Sequence, residues 1–136
     1  MLVGVAGRPE LVERRVRLPA PPEEVWTEVA DPGRLSAWFG ARVQLDLRPG
    51  GRASFRWPDG TERGGVIEEV EQRRLLAFRW APFERLADGT PVRRPAGRVE
   101  VALERAPEGQ TDLVVRETVG ATPAGMHVAR TLAVLR

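Results

Sequence analysis

The chain has 136 residues, of which 29% are charged, and its formal net charge is only +2. This length is typical of a single domain with one hydrophobic core, so we predict one domain over residues 1–136. Cysteine is absent, which excludes disulfides, thiolate nucleophiles and metal sites with sulfur ligands.

Charge and hydropathy argue against nucleic acid and membrane partners. The pI is 10.7 because all 21 basic residues are arginine and no lysine, tyrosine or cysteine is present. The arginines alternate with acids, whereas a nucleic-acid binder clusters them on one face. The apolar run at residues 2–6 is shorter than a signal-peptide core, and no window approaches the roughly 20 apolar residues of a membrane span. We therefore expect a cytoplasmic protein with no nucleic acid and no membrane partner.

The first forty residues predict a strand followed by two short helices. In residues 12–18, three apolar residues and Arg14 share one parity and charged residues occupy the other, which is the pattern of a half-buried strand. Pro22 suits the first position of a helix, and two acids follow it where the helix dipole favours them. Asp31 and the proline after it repeat this start for a second helix, which Gly40 ends.

From residue 42 onward, apolar and polar residues alternate along the chain, and several turns interrupt this alternation. The turns predict six further strands, in the runs 43–47, 53–57, 66–70, 76–80, 99–103 and 113–115. Residues 82–95 predict an irregular exposed arm. A last helix is predicted from Pro123, with an apolar stripe formed by Val128, Leu132 and Leu135. Because the strands run together and the helices lie at the ends, we predict an α+β fold with an antiparallel sheet of six to seven strands.

Several stretches resemble the activator-of-Hsp90-ATPase-like family, which belongs to the superfamily of START and Bet v 1 domains. They are PPEEVW at 21–26, DPGRLSAWF at 31–39, RPGGRASF at 48–55, and the segment 65–80. The resemblance covers residues 10–119 and implies a helix-grip fold, in which a curved sheet wraps a C-terminal helix around a cavity. It transfers no chemistry, because the superfamily includes lipid carriers, hormone receptors, polyketide cyclases and co-chaperone domains.

Catalytic and metal-binding chemistry has few candidates in this sequence. A Ser-His-Asp triad would have to use Ser36 or Ser54 with His127, the single histidine. Ser54 lies on the charged face of its strand, Ser36 in a helical first turn, and His127 beside the apolar stripe. No residues have the spacing of metal ligands. The glycine pairs at 50–51 and 64–65 indicate a turn and a bulge, not a phosphate-binding loop. We predict no catalytic residue, no metal and no cofactor.

The apolar face of the predicted sheet carries the candidate site. Alternation places the aromatic and β-branched residues of several strands on one face. The alternatives are a filled core beneath the last helix and a cavity whose tryptophans grip a planar ligand. The predicted ligand-binding residues are Trp38, Phe39, Phe55, Trp57, Glu68, Phe78, Trp80, Val99, Val101 and Glu117.

Two of these candidates are acids on apolar strand faces. Glu68 alternates with Val66 and Val70, and Glu117 continues an apolar alternation from residue 113. A carboxylate on the inner face of a sheet is costly unless it is paired or hydrated. Each acid is therefore either exposed, through a strand end or a slipped alternation, or a polar group inside a ligand cavity.

Three functional hypotheses follow. The first is non-enzymatic binding of a small hydrophobic molecule between the sheet and the C-terminal helix. The second is a cyclase- or hydratase-type enzyme that uses a buried Glu as general base. The third, implied by the resemblance, is an interaction module with a chaperone partner. The predicted last helix is too short to cover the whole sheet, so a ligand, the arm at residues 82–95 or a second subunit should cover the rest. We predict a symmetric homodimer that uses the surface around Val128, Leu132 and Leu135.

Overall fold

The structure of the protein is a computed structural model. It describes residues 10–119, except for the side chains of Glu10, Trp38 and Val119. The predicted C-terminal helix with its stripe, His127 and the surface predicted for a homodimer lie outside the described residues.

Eight strands, two α-helices and one short 3-10 turn follow each other along the described chain. In order they are β1 (Glu10–Leu18), α1 (Pro22–Ala30), α2 (Pro32–Phe39), β2 (Arg42–Leu45), β3 (Arg52–Arg56), β4 (Glu62–Glu71), β5 (Leu75–Arg85), β6 (Pro91–Arg93), β7 (Arg98–Ala106), the 3-10 turn (Pro107–Gly109) and β8 (Gln110–Val119). The predicted strand, two helices and strands thus occur in that order.

The two helices begin and end where their sequence signals predict. The Asp31 carboxylate accepts hydrogen bonds from two backbone amides in the first turn of α2, at 2.8 and 3.1 Å. Gly40 ends α2 with a left-handed φ of 64°. The Ser36 hydroxyl donates to the Pro32 carbonyl and accepts from the Val43 amide, at 2.6 and 2.8 Å, so it joins α2 to β2. In residues 10–119 neither helix is long and apolar enough to cross a membrane.

All strand pairs described in the sheet are antiparallel, in the order β1-β8-β7-β5-β4-β3-β2. β6 pairs with β5 outside this path and is the strand that the sequence did not predict. The predicted α+β fold of the helix-grip kind, with a curved antiparallel sheet, is confirmed.

The prediction of an irregular arm at residues 82–95 is wrong. β5 continues through Pro82 to Arg85, and β6 folds back against it. Between the pairs Gly65↔Trp80 and Arg63↔Glu84, β5 contains two more residues than β4. This bulge accommodates Pro82, which has no amide to donate to a regular ladder.

One face of the sheet packs against α1 and α2, and we call it the inner face; the opposite face is the outer face. The inner face and the two helices share a single hydrophobic cluster. Its members from the helices include Val25, Val29, Leu35 and Phe39. The candidate aromatic residues therefore lie in the main core of the protein.

Candidate ligand-binding site

Five aromatic residues form the centre of the inner face. The ring of Phe55 lies 5.3 Å from Phe39, 5.4 Å from Phe78, 4.9 Å from Trp80 and 6.0 Å from Trp57, measured between centroids. All five residues are at most 5% exposed. The Phe55–Trp57 pair is stacked and the others are tilted or edge-on, and aromatic quadrupoles favour offset-stacked and edge-on geometries.

Gly65 makes room for these rings. It lies directly across from Trp80 in the β4–β5 ladder. A Cβ atom at Gly65 would stand 2.8 Å from the Arg79 carbonyl oxygen and 3.4 Å from the Phe78 ring. A side chain there would force the β5 backbone away from β4.

Val99 and Val101 extend the aromatic wall onto β7. Val99 lies across from Phe78 on one side and from Glu117 on the other, and Val101 lies across from Val115. Directly opposed residues in an antiparallel ladder share a face. The structure thus brings all these predicted residues to the inner face.

Glu117 is a carboxylate inside this apolar wall, and its exposure is 0%. Its Oε2 accepts a hydrogen bond of 2.9 Å from the Trp80 indole Nε1. Gly97 lets β8 approach closely, since a Cβ there would stand 2.2 Å from the Thr118 carbonyl oxygen. Burial of a carboxylate is costly unless polar groups replace water, and the indole supplies one of them.

Arg63 is the second buried charge of the inner face, and the sequence analysis missed it. It is 2% exposed. Its guanidinium donates to the carbonyls of Ala81 and Pro95 and lies 5.0 Å from the centre of the Trp80 ring. Burial lowers the pKa of Arg63, and the negative charges of Glu84 and Glu117 act in the opposite direction.

The donor capacity of Arg63 is not fully used within the described part of the chain. Its Nη1 is buried and has no hydrogen-bond partner among residues 10–119. A signal for this residue did exist in the sequence. Arg63 lies four residues before Ile67 in the same strand, so both side chains point to the same face, and Ile67 is buried on the inner face.

Two further charged residues, Glu84 and Arg94, lie beyond Arg63 on the side away from Glu117. Glu84 is 6% exposed and lies across from Arg63 in the β4–β5 ladder. The Arg94 Nε stands 3.2 Å from its Oε1. Glu117, Trp80 and Arg63 thus form a buried polar group beside the aromatic wall, and Glu84 lies across from Arg63 with the partly exposed Arg94 at its carboxylate.

Glu68 does not belong to the site, so its prediction as a ligand-binding residue beside Val66 is wrong, and the alternative of a slipped alternation is correct. Ile67 pairs with Phe78 and Glu69 pairs with Ala77, so Glu68 is the extra residue of a β-bulge. The bulge changes the parity of the strand, which leaves Val66 48% exposed. The Glu68 carboxylate lies on the outer face, where Arg79 and Arg98 bind it at 2.9 Å each.

The structure therefore assembles seven predicted apolar residues and one predicted acid. They are Phe39, Phe55, Trp57, Phe78, Trp80, Val99, Val101 and Glu117. The side chain of Trp38 is outside the described part. Within residues 10–119, no group of three or more His, Asp or Glu side chains is arranged to hold a metal ion.

A family model of the activator of Hsp90 ATPase homolog 1-like proteins matches residues 19–132. The chain belongs to this family. The match spans most of the sequence and includes both helices and every strand from β2 to β8. No curated protein matches the chain.

Solved structures share the fold of this family member. DynU16, described as a putative protein in the dynemicin biosynthetic locus, is 26% identical with a TM-score of 0.68; the match covers 90% of this chain and 42% of that one. The chain thus spans less than half the length of DynU16. CalU16 from Micromonospora echinospora is 27% identical with a TM-score of 0.67 and coverages of 96% and 76%. Ms6760 from Mycobacterium smegmatis, at 20% identity, a TM-score of 0.67 and coverages of 92% and 87%, shows the fold alone.

Proposed function

We propose that the protein binds a small hydrophobic molecule against the inner face of its sheet and catalyses no reaction on it. The observation that carries this proposal is the buried polar group of Glu117, Trp80 and Arg63 beside a wall of aromatic rings. Ligand sites are mostly apolar and contain a few placed polar groups that orient the ligand. Membership of the family, whose fold supports such sites, agrees with this assignment.

The site favours a flat ligand that has one hydrogen-bond acceptor. Aromatic rings from α2, from β3 and the residue after it, and from β5 supply apolar contact area, which favours planar ligands. Arg63 Nη1 is a buried donor with no partner in the described part of the chain. A ligand carbonyl or hydroxyl oxygen would satisfy it, and an unsatisfied buried donor is destabilising.

Native mass spectrometry of freshly purified protein, together with titration of the neutral fluorescent probe N-phenyl-1-naphthylamine, tests the proposal. We expect a co-purifying small molecule or saturable probe binding with one site per chain. The same spectra report whether the predicted homodimer forms. Failure of the wild-type protein both to retain a molecule and to bind the probe would remove the proposal.

A matched pair of variants locates the binding on the inner face. Val101→Phe adds a ring to the wall, whereas Val66→Phe adds the same ring to the exposed outer face. We expect Val101→Phe to weaken probe binding at least fivefold and Val66→Phe to leave it unchanged. Because overpacking can destabilise a core, urea unfolding must first show that Val101→Phe is folded. If that variant is unfolded, competition between the probe and a co-purified molecule replaces it.

Glu117 gives one specific reason to keep an enzymatic alternative. A carboxylate buried among aromatic rings and oriented by an indole N–H resembles the arrangement of a general base. A cyclase would use it to remove the α-proton of a bound ketone, and a hydratase would use it to take a proton from the water that adds to an enone and return it to the α-carbon. Glu117→Gln would then abolish turnover, measured by mass spectrometry on a panel of such compounds, and leave probe binding intact.

A further inference from the structure

The outer face carries a row of charged residues that crosses four strands and ends at Pro91 on a fifth. Arg42 pairs with Arg56, Arg56 with Glu62, Glu62 with Arg85, and Arg85 with Pro91. Because opposed residues in antiparallel strands share a face, their side chains stand side by side. The row joins residues that are up to 49 positions apart in the sequence.

A groove of about 460 Å³ lies along this row. The neighbouring positions on β2, β3 and β4 are Gln44, Ser54 and Gly64. The first two are polar, and the glycine has no side chain. Phe83 lies at the β5 side of the groove and is 48% exposed. The volume is within the range of small-molecule sites, about 300–1,000 Å³.

The groove carries excess positive charge. Its charged lining on the outer face consists of three arginines, Arg42, Arg56 and Arg85, and one glutamate, Glu62, whereas Arg63 and Glu84 border the groove but are buried on the inner side. Within residues 10–119, Arg42 and Arg85 make no ion pair, and the Arg56 guanidinium stands 3.5 Å from its one carboxylate neighbour there, Glu62. Elsewhere on the outer face, Arg79 and Arg98 are engaged by Glu68. The groove is therefore a place where guanidinium groups face solvent.

We propose that this groove binds a small organic anion that has a flat apolar body. Guanidinium groups bind carboxylate and phosphate oxygens in a planar two-point geometry, so Arg42 and Arg85 would hold the anionic group. The apolar body would lie over Gly64 and pack against the exposed ring of Phe83. This site is on the opposite side of the sheet from the inner-face site and does not depend on it.

Gly64 offers a substitution that closes the groove and leaves the fold intact. A Cβ atom there would meet only the Ala53 carbonyl oxygen within 4 Å, at an ordinary contact distance of 3.7 Å. Its φ is not positive, and valine is favoured in strands. Gly64→Val should therefore fold normally and place two methyl groups in the space that the ligand needs.

Chemical-shift titration of ¹⁵N-labelled protein with 2-naphthoate tests the proposal, with the neutral 2-naphthamide as the matched probe. We expect 2-naphthoate to move the backbone amide signals of Ser54, Gly64 and Phe83, and 2-naphthamide to bind at least fivefold more weakly. Arg42→Gln and Arg85→Gln should each weaken binding about three- to fivefold, the size expected for exposed charge pairs. Arg52→Gln, on the same face but outside the groove, should have no effect.

Five results would overturn the proposal, and four of them come from these titrations and variants. They are equal affinity for the two probes, an equal loss of affinity in Arg52→Gln, unchanged binding in Gly64→Val, and shifts confined to inner-face residues such as Ile67. A fifth is binding of a hexaglutamate peptide at these residues when 2-naphthoate does not bind, which would make the groove an acidic-peptide surface. Apart from shifts confined to the inner face, these results do not bear on probe binding there.

Discussion

The two faces of the sheet use the same charged residue types in different ways. On the inner face, Glu117 and Arg63 are buried and bind neutral dipoles, namely an indole N–H and two backbone carbonyls. On the outer face, Glu68 and Arg98 are partly exposed and bind opposite charges. Water screens the outer pairs, whereas the inner groups depend on fixed protein partners. Removing a partner should therefore cost more inside than outside.

The outer pairs form a cross-strand network. Arg98 on β7 binds Glu68 at 2.9 Å and Glu69 at 2.5 Å on β4, and it also binds Glu100 on its own strand. Since β4 and β7 are separated by β5, this long side chain spans two ladders. Such exposed pairs contribute about 0–1 kcal/mol each, so their number says little about stability.

The largest contrast between the faces should come from the same substitution at two phenylalanines. Phe55 is 1% exposed at the centre of the inner face, and Phe83 is 48% exposed on the outer face. Phe55→Ala should lower the free energy of unfolding by about 3–5 kcal/mol because it leaves a cavity. Phe83→Ala should change it by less than about 1 kcal/mol. Urea unfolding followed by circular dichroism measures both, and equal losses would contradict the assignment of faces.

A second pair of variants compares arginines on the two faces. Arg63→Met keeps an unbranched apolar stem but leaves the carbonyls of Ala81 and Pro95 without their guanidinium donor. We expect a loss of about 1–3 kcal/mol, the cost of unsatisfied buried groups. Arg79→Met removes a partner of Glu68 on the outer face and should cost less than about 1 kcal/mol. If thermal and urea unfolding rank Arg79→Met as the more damaging change, the interpretation of Arg63 is wrong.

The smallest effect should appear in the pH dependence of Glu68. The hydrogen bond from Arg79, followed by that from Arg98, holds the pKa of Glu68 below its usual 4.5. The stabilisation is therefore complete above pH 4.5 and is lost as the pH falls through the lower folded-state value. Because the side chain is 34% exposed, solvent weakens the effect to under about 1 kcal/mol.

Glu68→Gln is the variant that isolates this contribution. Below pH 4.5, the stability of the wild type should fall more steeply than that of the variant. The difference in unfolding free energy between the two proteins should thus shrink on acidification. A constant difference from neutral to acidic pH would mean that the pair does not stabilise the folded state.

Much of the fold was predictable because its signals are local. Asp31 and Gly40 mark the ends of α2 through backbone capping, which involves only neighbouring residues. The strict alternation of β3 and β7 reports one buried and one solvated face. The inward positions of Phe55 and Val101 were predicted for this reason.

The failures all involve features that alternation alone does not report. The bulge at Glu68 reverses the parity of β4, so Val66 points outward and Arg63 points inward. Similarly, the sequence around the bulge at Pro82 looked like a loop, although the strand continues through it. A bulge depends on how two strands register against each other, and the partner strand is not visible within a local window.

The sequence by itself determined the class of fold, the order of its elements and the aromatic face, because capping and period-two burial are properties of short segments. Only the tertiary structure decided which charges are buried. Glu117 reaches the Trp80 indole, and Arg63 reaches the carbonyls of Ala81 and Pro95, across strands that are distant in the sequence. The charged row from Arg42 to Arg85 likewise exists only in the assembled register. A charge can be buried where such partners surround it, and the register of the whole sheet decides whether they do.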